Sequence, residues 1–179
     1  SAENEVLGSL IRAGVDEVII KDVGDSANAV RAALSGAELR SAGREVFALL
    51  SARLTQRLER VVRLALMHVG ERIHVCDLAE AEQRQLRTFE RRVRRDSLLT
   101  SREILAWIRL LIAVYLLEQS RWPVGVVAWK VGYHDAGSLH RALRWRVRLH
   151  AGELRSAGST RRMCGLFLGS LGMVEAESS

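Results

Sequence analysis

Pro123-Val124-Gly125-Val126-Val127-Ala128-Trp129-Lys130-Val131-Gly132-Tyr133-His134-Asp135-Ala136-Gly137-Ser138-Leu139-His140-Arg141-Ala142-Leu143-Arg144 is the stretch that decides the fold. A helix is predicted over 124–131. Pro123 suits its start, where a missing N–H costs nothing. Gly132 suits its end, because glycine takes the positive φ of a helix stop. Tyr133 is placed to pack the turn against a core. After a four-residue turn a second helix is predicted over 137–147. Leu139, Ala142 and Leu143 would point inward from it, and Gly137, His140, Arg141, Arg144 and Arg148 would face out. Two helices joined in this way make a helix-turn-helix layout. A helix with that positive face suits the DNA major groove, where its tips reach phosphates and base edges together. An ordinary helical hairpin with a solvated charged face fits the same spacing.

The rest of the chain also reads as helix. Upstream, a long helix is predicted over 101–119, with Ser101 as its cap and Glu103 in its first turn. Its inward face would carry Ile104, Leu105, Ile108, Leu111, Ile112, Tyr115 and Leu116. Shorter helices are predicted over 75–81 and 85–95. A pattern with apolar residues three and four apart runs from Ala37 through Leu39, Val46, Leu50, Leu54, Leu58, Val61 and Val62 to Ala65. A break near Thr55 would divide it, Gly70 would end it, and Gly43 inside it weakens a helix by about 1 kcal/mol relative to alanine. A further helix is predicted over 28–34, capped by Asp25 or Ser26 and ended by Gly36. After Ser156 a weak apolar run, Met163 to Val174, reads as a loose or small packing element. One proline and nine aromatic residues among 179 argue against a β-sandwich.

The net charge of +6 is unevenly placed. Residues 1–55 carry 6 basic and 8 acidic side chains, residues 56–155 carry 19 and 11, and residues 156–179 carry 2 and 2. A basic middle between near-neutral flanks fits a nucleic-acid-binding domain with an accessory N-terminal piece, although an arginine-rich helical surface is also simply soluble. The expected organisation is therefore 1–55, 56–155 and a tail at 156–179. Two cysteines, Cys76 and Cys164, suit neither a disulfide framework nor a zinc site. No apolar stretch reaches membrane-spanning length, and no secretory signal is expected, which leaves the cytoplasm as the default location. His68, His74, His134 and His140 form no ligand or catalytic set, so neither enzymatic activity nor a metal or cofactor is expected.

The middle segment resembles the AraC/XylS family of transcription regulators. Arg109-Leu110-Leu111-Ile112-Ala113-Val114-Tyr115-Leu116-Leu117 is similar to the family's linker-helix pattern of Arg-Leu, Ala and Leu-Leu. Pro123, Val127-Ala128 and Gly132-Tyr133 match the next segment, and Gly137 to Arg144 match the one after it. Of the closing Gly-x-x-Pro-x-x-Tyr-Arg pattern, Arg155 is kept. Arg148 stands for the glycine, Ala151 for the proline and Leu154 for the aromatic. A weaker match covers Leu78-Ala79 and Arg87 to Val93, where the turn Glu82-Gln83-Arg84 lacks the usual glycine. Glu80, Glu82 and Glu90 add negative charge there.

The resemblance implies a mainly α fold. Two helix-turn-helix subdomains would be joined by a linker helix of roughly 28 Å, behind a small N-terminal piece with room for one short strand and a connecting helix. It also implies recognition helices in successive major grooves, about 34 Å apart. Arg87, Glu90 and Arg91 would face bases in the first unit, and Ala136, Gly137, His140 and Arg141 in the second, with Arg92, Arg95, Arg144 and Arg148 among the arginines left to phosphate or water. The function implied is sequence-specific binding of double-stranded DNA. The alternative is a degenerate helix-turn-helix module that docks on RNA polymerase or a signalling partner.

Ala13 to Lys21 resembles the last strand and lysine of a response-regulator receiver. It would be either a cut receiver or a degenerate remnant. The helix over 38–54 is a candidate homodimer element, the alternative being a helix docked on its own domain.

Overall fold

The computed structural model describes residues 24–71 and 73–173, with side chains from 36 to 70 and from 73 to 173. The helices are α1 (Gly24–Leu50), α2 (Gln56–Met67), α3 (Val75–Ala81), α4 (Leu86–Asp96), α5 (Ser101–Gln119), α6 (Val124–Lys130), α7 (Ala136–Val147) and α8 (Ser159–Ser170). Short 3-10 turns lie at Ser51–Arg53, Val69–Glu71 and Glu153–Arg155. No strand occurs among the described residues. The short strand expected near Val18 and the receiver-like stretch to Lys21 lie outside them. The described residues from 35 on form one compact unit.

The core is built around α5. Twelve of its nineteen residues are buried, so it is wrapped on more than one side rather than along a single stripe. Trp107, Leu110, Ala113, Val114 and Leu117 are buried beside the predicted face, while Tyr115 is only half-buried. The helices α2, α3 and α4 pack on it, and so do α6, α7 and α8. The cap of α5 is Thr100, not Ser101. Thr100 is extended, its Oγ1 accepts from the Glu103 N–H at 3.3 Å, and its own N–H donates to the Glu103 carboxylate at 2.8 Å. Ser101 is already inside the helix, where its hydroxyl cannot reach back across the first turn. Hydrogen bonds from Thr100 hold the Glu103 carboxyl below its ordinary range.

The helix predicted over 28–34 does not stop at Gly36. It continues as α1 to Leu50. Gly36 is helical rather than left-handed, and no proline follows to force a stop. Leu39, Ala42, Val46 and Leu50 are buried in the unit's own core. The inward face of α1 from Leu39 on is thus docked on its own domain. Gly43 is required there: a Cβ at this position would lie 2.6 Å from the Leu66 carbonyl oxygen of α2. The helix-weakening glycine is what lets α1 and α2 approach so closely. The break near Thr55 is present, with Thr55 extended before α2, but α2 ends at Met67, three residues before Gly70.

The tail is a packing element. Met163, Cys164, Phe167, Leu168 and Leu171 are buried, and the Phe167 ring lies 5.8 Å from Trp107 on α5. Burial pushes the Cys164 thiol up to about 12. Glu118, in the last turn of α5, accepts from the N–H groups of Gly158 and Thr160 at 2.7 Å each and from the Thr160 hydroxyl at 2.5 Å. It thereby ties the free donors at the start of α8 to the end of α5. Burial alone would raise the Glu118 pKa, but these three donors outweigh it and hold it low. Among the described residues no helix is long and apolar enough to cross a membrane.

Candidate nucleic-acid interface

Two helix pairs flank α5, and their turns follow one hydrogen-bonding plan. In the first, Glu82 N–H donates to Leu78 O at 3.1 Å, Gln83 N–H to Glu80 O at 2.8 Å and Arg84 N–H to Ala79 O at 2.9 Å. In the second, Val131 N–H donates to Val127 O at 3.1 Å, Gly132 N–H to Trp129 O at 3.1 Å and Tyr133 N–H to Ala128 O at 2.9 Å. The pivot residues have positive φ in both, +51° at Gln83 and +86° at Gly132. Leu78 and Ala79 are buried as Val127 and Ala128 are, and Phe89 and Val93 of α4 are buried as Leu139 and Leu143 of α7 are. The core positions therefore repeat together with the turns.

The pairs differ where the outer helix begins. The second turn has one residue more, running from Val131 to Asp135 against Glu82 to Gln85. Asp135 closes a capping box on α7: its Oδ1 accepts from Ser138 N–H at 2.6 Å, and its own N–H donates to Ser138 Oγ at 3.2 Å. The Ser138 N–H bond is the main reason the Asp135 carboxyl is held below its ordinary value. At the start of α4, Gln85 makes no side-chain cap.

The expected base-facing residues lie on the outer sides of α4 and α7. Arg87 and Arg91 are exposed, one turn apart on α4, and Glu90 is half-exposed beside them. On α7, Gly137 and Arg141 are exposed, and Ala136 and His140 are half-exposed. A Cβ at Gly137 would lie 3.4 Å from Arg141 Nη1, so the Arg141 guanidinium folds back over the first turn of α7. Arg144 is exposed on the same helix. Arg148 is not on the outward face of α7. It is the C-cap, in the left-handed region at φ +55°. That conformation explains why a glycine belongs at this place in the resembling pattern, and why an arginine there carries backbone strain. Trp145 is 75% exposed and stacks against Arg146, with 5.0 Å from guanidinium to ring centroid.

Arginines anchor the approach to each pair. Arg155 donates to Ser120 O at 3.0 Å and Trp122 O at 2.5 Å, just ahead of α6, and to Leu117 O at 3.4 Å. Arg109 donates to Ile73 O at 3.5 Å, just ahead of α3. The two arginines singled out by the resemblance hold backbone carbonyls in place rather than facing solvent. Ala151 and Leu154, which depart from the family pattern, are buried. Lys130 pairs with Glu38 of α1 at 3.2 Å and stands 3.8 Å above the Trp122 ring. Burial raises the Tyr133 hydroxyl above its ordinary pKa, as expected of a ring packed under the turn.

Two of the acidic residues near the first pair are accounted for. Glu82 pairs with Arg60 of α2 at 3.5 Å, and Asp96 with Arg57 of α2 at 3.2 Å. Cationic side chains crowd the same side. Arg92 is held below the usual guanidinium range, first by Arg84 and also by Arg57, Arg95 and Arg91. Arg92 and Arg84 have no base contact assigned from the sequence. Arg92 lies five residues beyond Arg87, roughly 140° around the helix, and so on its flank.

No curated protein and no solved structure matches the chain. Residues 78–157 match the family model described as a helix-turn-helix domain, and over that stretch the chain carries a helix-turn-helix domain like that of the AraC-type regulators.

Proposed function

We propose that the protein is a sequence-specific, double-stranded-DNA-binding transcription regulator of AraC type, acting in the cytoplasm. In this reading α4 and α7 enter successive major grooves on one face of the duplex. The observation that carries it is the repeated turn geometry on either side of α5, with exposed arginines on the outer helix of each pair. At 1.5 Å per residue, α5 spans roughly 28 Å, comparable to one DNA turn of about 34 Å. Arg141 and Arg91 are the base-reading candidates, because a guanidinium bonds a guanine edge with two donors. Arg87, Glu90, Ala136, Gly137 and His140 complete the base-facing sides. Arg144 and Arg148 are assigned to phosphate. No catalytic step is assigned to the protein.

Fluorescence anisotropy with random duplex DNA between about 50 and 200 mM salt tests this. Six or more phosphate contacts predict a fall of roughly 10³–10⁵ in affinity. Absence of binding at low salt would sink the proposal. A second reading then applies: a helix-turn-helix module that docks on RNA polymerase or a signalling partner. Val126 and Trp129, exposed on one side of α6 at 41% and 64%, support it.

A further inference from the structure

A cleft separates α2 from α4 and the first turn. Four guanidinium-bearing side chains, Arg57, Arg60, Arg84 and Arg92, line it above an apolar floor that includes Phe89 and Val93. The carboxylates in its walls are Glu82 and Asp96, and among the described residues each is paired, with Arg60 and with Arg57. That leaves the Arg84 and Arg92 charges without a carboxylate of their own at ion-pair distance among the described residues. They nevertheless lie close enough that the Arg84 guanidinium disfavours the charge on Arg92. Like charges held close together repel even at an exposed surface. An anion placed between them converts that repulsion into attraction. Phosphate suits the geometry, because two planar guanidinium forks can each give paired donors to its oxygens.

We propose that this cleft seats a single phosphate group, shared between Arg84 and Arg92. Resting on the DNA reading above, the source is one phosphodiester of the duplex strand that passes beside α4. Arg92 lies on the flank of α4 away from Arg87, where a backbone phosphate rather than a base edge would stand. A free phosphate compound shares the same chemistry, and the experiment separates the two sources.

The test uses the full chain, Arg84→Gln, Arg92→Gln and the double variant. Two probes are applied: random duplex DNA in a salt series, and inorganic pyrophosphate in a thermal-shift assay. With DNA as the source, each single variant lowers the slope of log affinity against log salt by up to about 0.9, and the double variant lowers it by no more than about 0.9 in all, because one phosphate is shared. Unchanged slopes in all variants, with the parent protein still binding DNA, would overturn the seat and leave the DNA reading standing. A double variant that loses twice as much would overturn the sharing of one phosphate. If the parent protein does not bind DNA, the DNA reading fails and the second probe decides. A rise in Tm with pyrophosphate that vanishes in the double variant supports the seat with a free phosphate compound as its source. No rise overturns it. In either case Arg92→Gln should raise the Tm of the unliganded protein at low salt, since it removes the repulsion.

Discussion

Gly132 turns the second helix pair at φ +86° and Gln83 turns the first at φ +51°, with the same three backbone hydrogen bonds around each. The second pair meets this geometry with residues suited to it: a glycine at the pivot, an aspartate cap and an arginine clamp from Arg155. The first has a glutamine in the left-handed region, no side-chain cap and one long bond from Arg109. What shapes the first turn is the burial of Leu78, Ala79, Phe89 and Val93, not its local sequence. Tertiary packing can impose a turn that the pivot residue disfavours by about 1 kcal/mol. The second pair is therefore expected to be the stiffer reader, and the first the more adaptable one.

The largest effect expected from this difference follows from removing the clamp. Arg155→Ala strips Ser120 and Trp122 of a charged donor and should cost about 2–3 kcal/mol of stability. Arg109→Ala should cost less, since its one bond is long. Urea unfolding of both variants measures this, and equal losses would erase the contrast. Next comes base reading. Arg141→Ala should remove about 1–3 kcal/mol of discrimination at one base position, while Arg91→Ala on the less fixed helix should weaken binding more evenly across sequences. Binding selection from a random duplex pool distinguishes the two, and an unchanged preference in Arg141→Ala would remove α7 as the reader.

Smaller effects are expected at the pivots. Gly132→Ala should destabilise by about 1 kcal/mol, and Gln83→Gly should stabilise by a similar amount. The two substitutions should therefore shift the urea midpoint in opposite directions. Arg148→Gly should also stabilise, for the same backbone reason, while weakening DNA binding. The smallest effect concerns pH. Asp135 has a lowered folded pKa, so the stability it supplies is present above its ordinary pKa and is lost as pH falls through the folded value. The Tm advantage of the parent protein over Asp135→Ala, a few degrees at neutral pH, should shrink below about pH 4. No such loss is expected on replacing Gln85.

The same contrast explains what could be read from the sequence. Pro123, Gly132 and the apolar spacing of α7 announce the second pair, because each residue type has a local conformational reason to be there. In the first pair only the apolar positions speak, since Gln83 gives no sign of a left-handed turn. Thr100 and Ser101 are both plausible caps by type, and the backbone chooses between them. Gly36 reads as a stop but does not act as one, while Gly43 reads as a weakness although the Leu66 carbonyl demands it. The tail was only a weak apolar run because α8 is short, glycine-bearing and buried by partners distant in sequence, Trp107 among them. For the candidate interface, residue type and periodicity put Arg141 on an outward face, while Arg87 and Arg91 came only from the family resemblance. The Arg84–Arg92 cluster depends on α2 arriving from elsewhere and was not visible.

The docking of α1 and α8 onto the central helices has a practical consequence for handling the protein in pieces. A fragment cut to residues 56–155 would keep both helix pairs and every residue assigned to DNA, yet it would lose Val46 and Leu50 on one side and Met163, Phe167 and Leu168 on the other. The apolar surfaces these cover, Leu66 and Trp107 among them, would then face water. Such a fragment should self-associate at working concentrations, whereas one running from about residue 35 to 173 should stay dispersed.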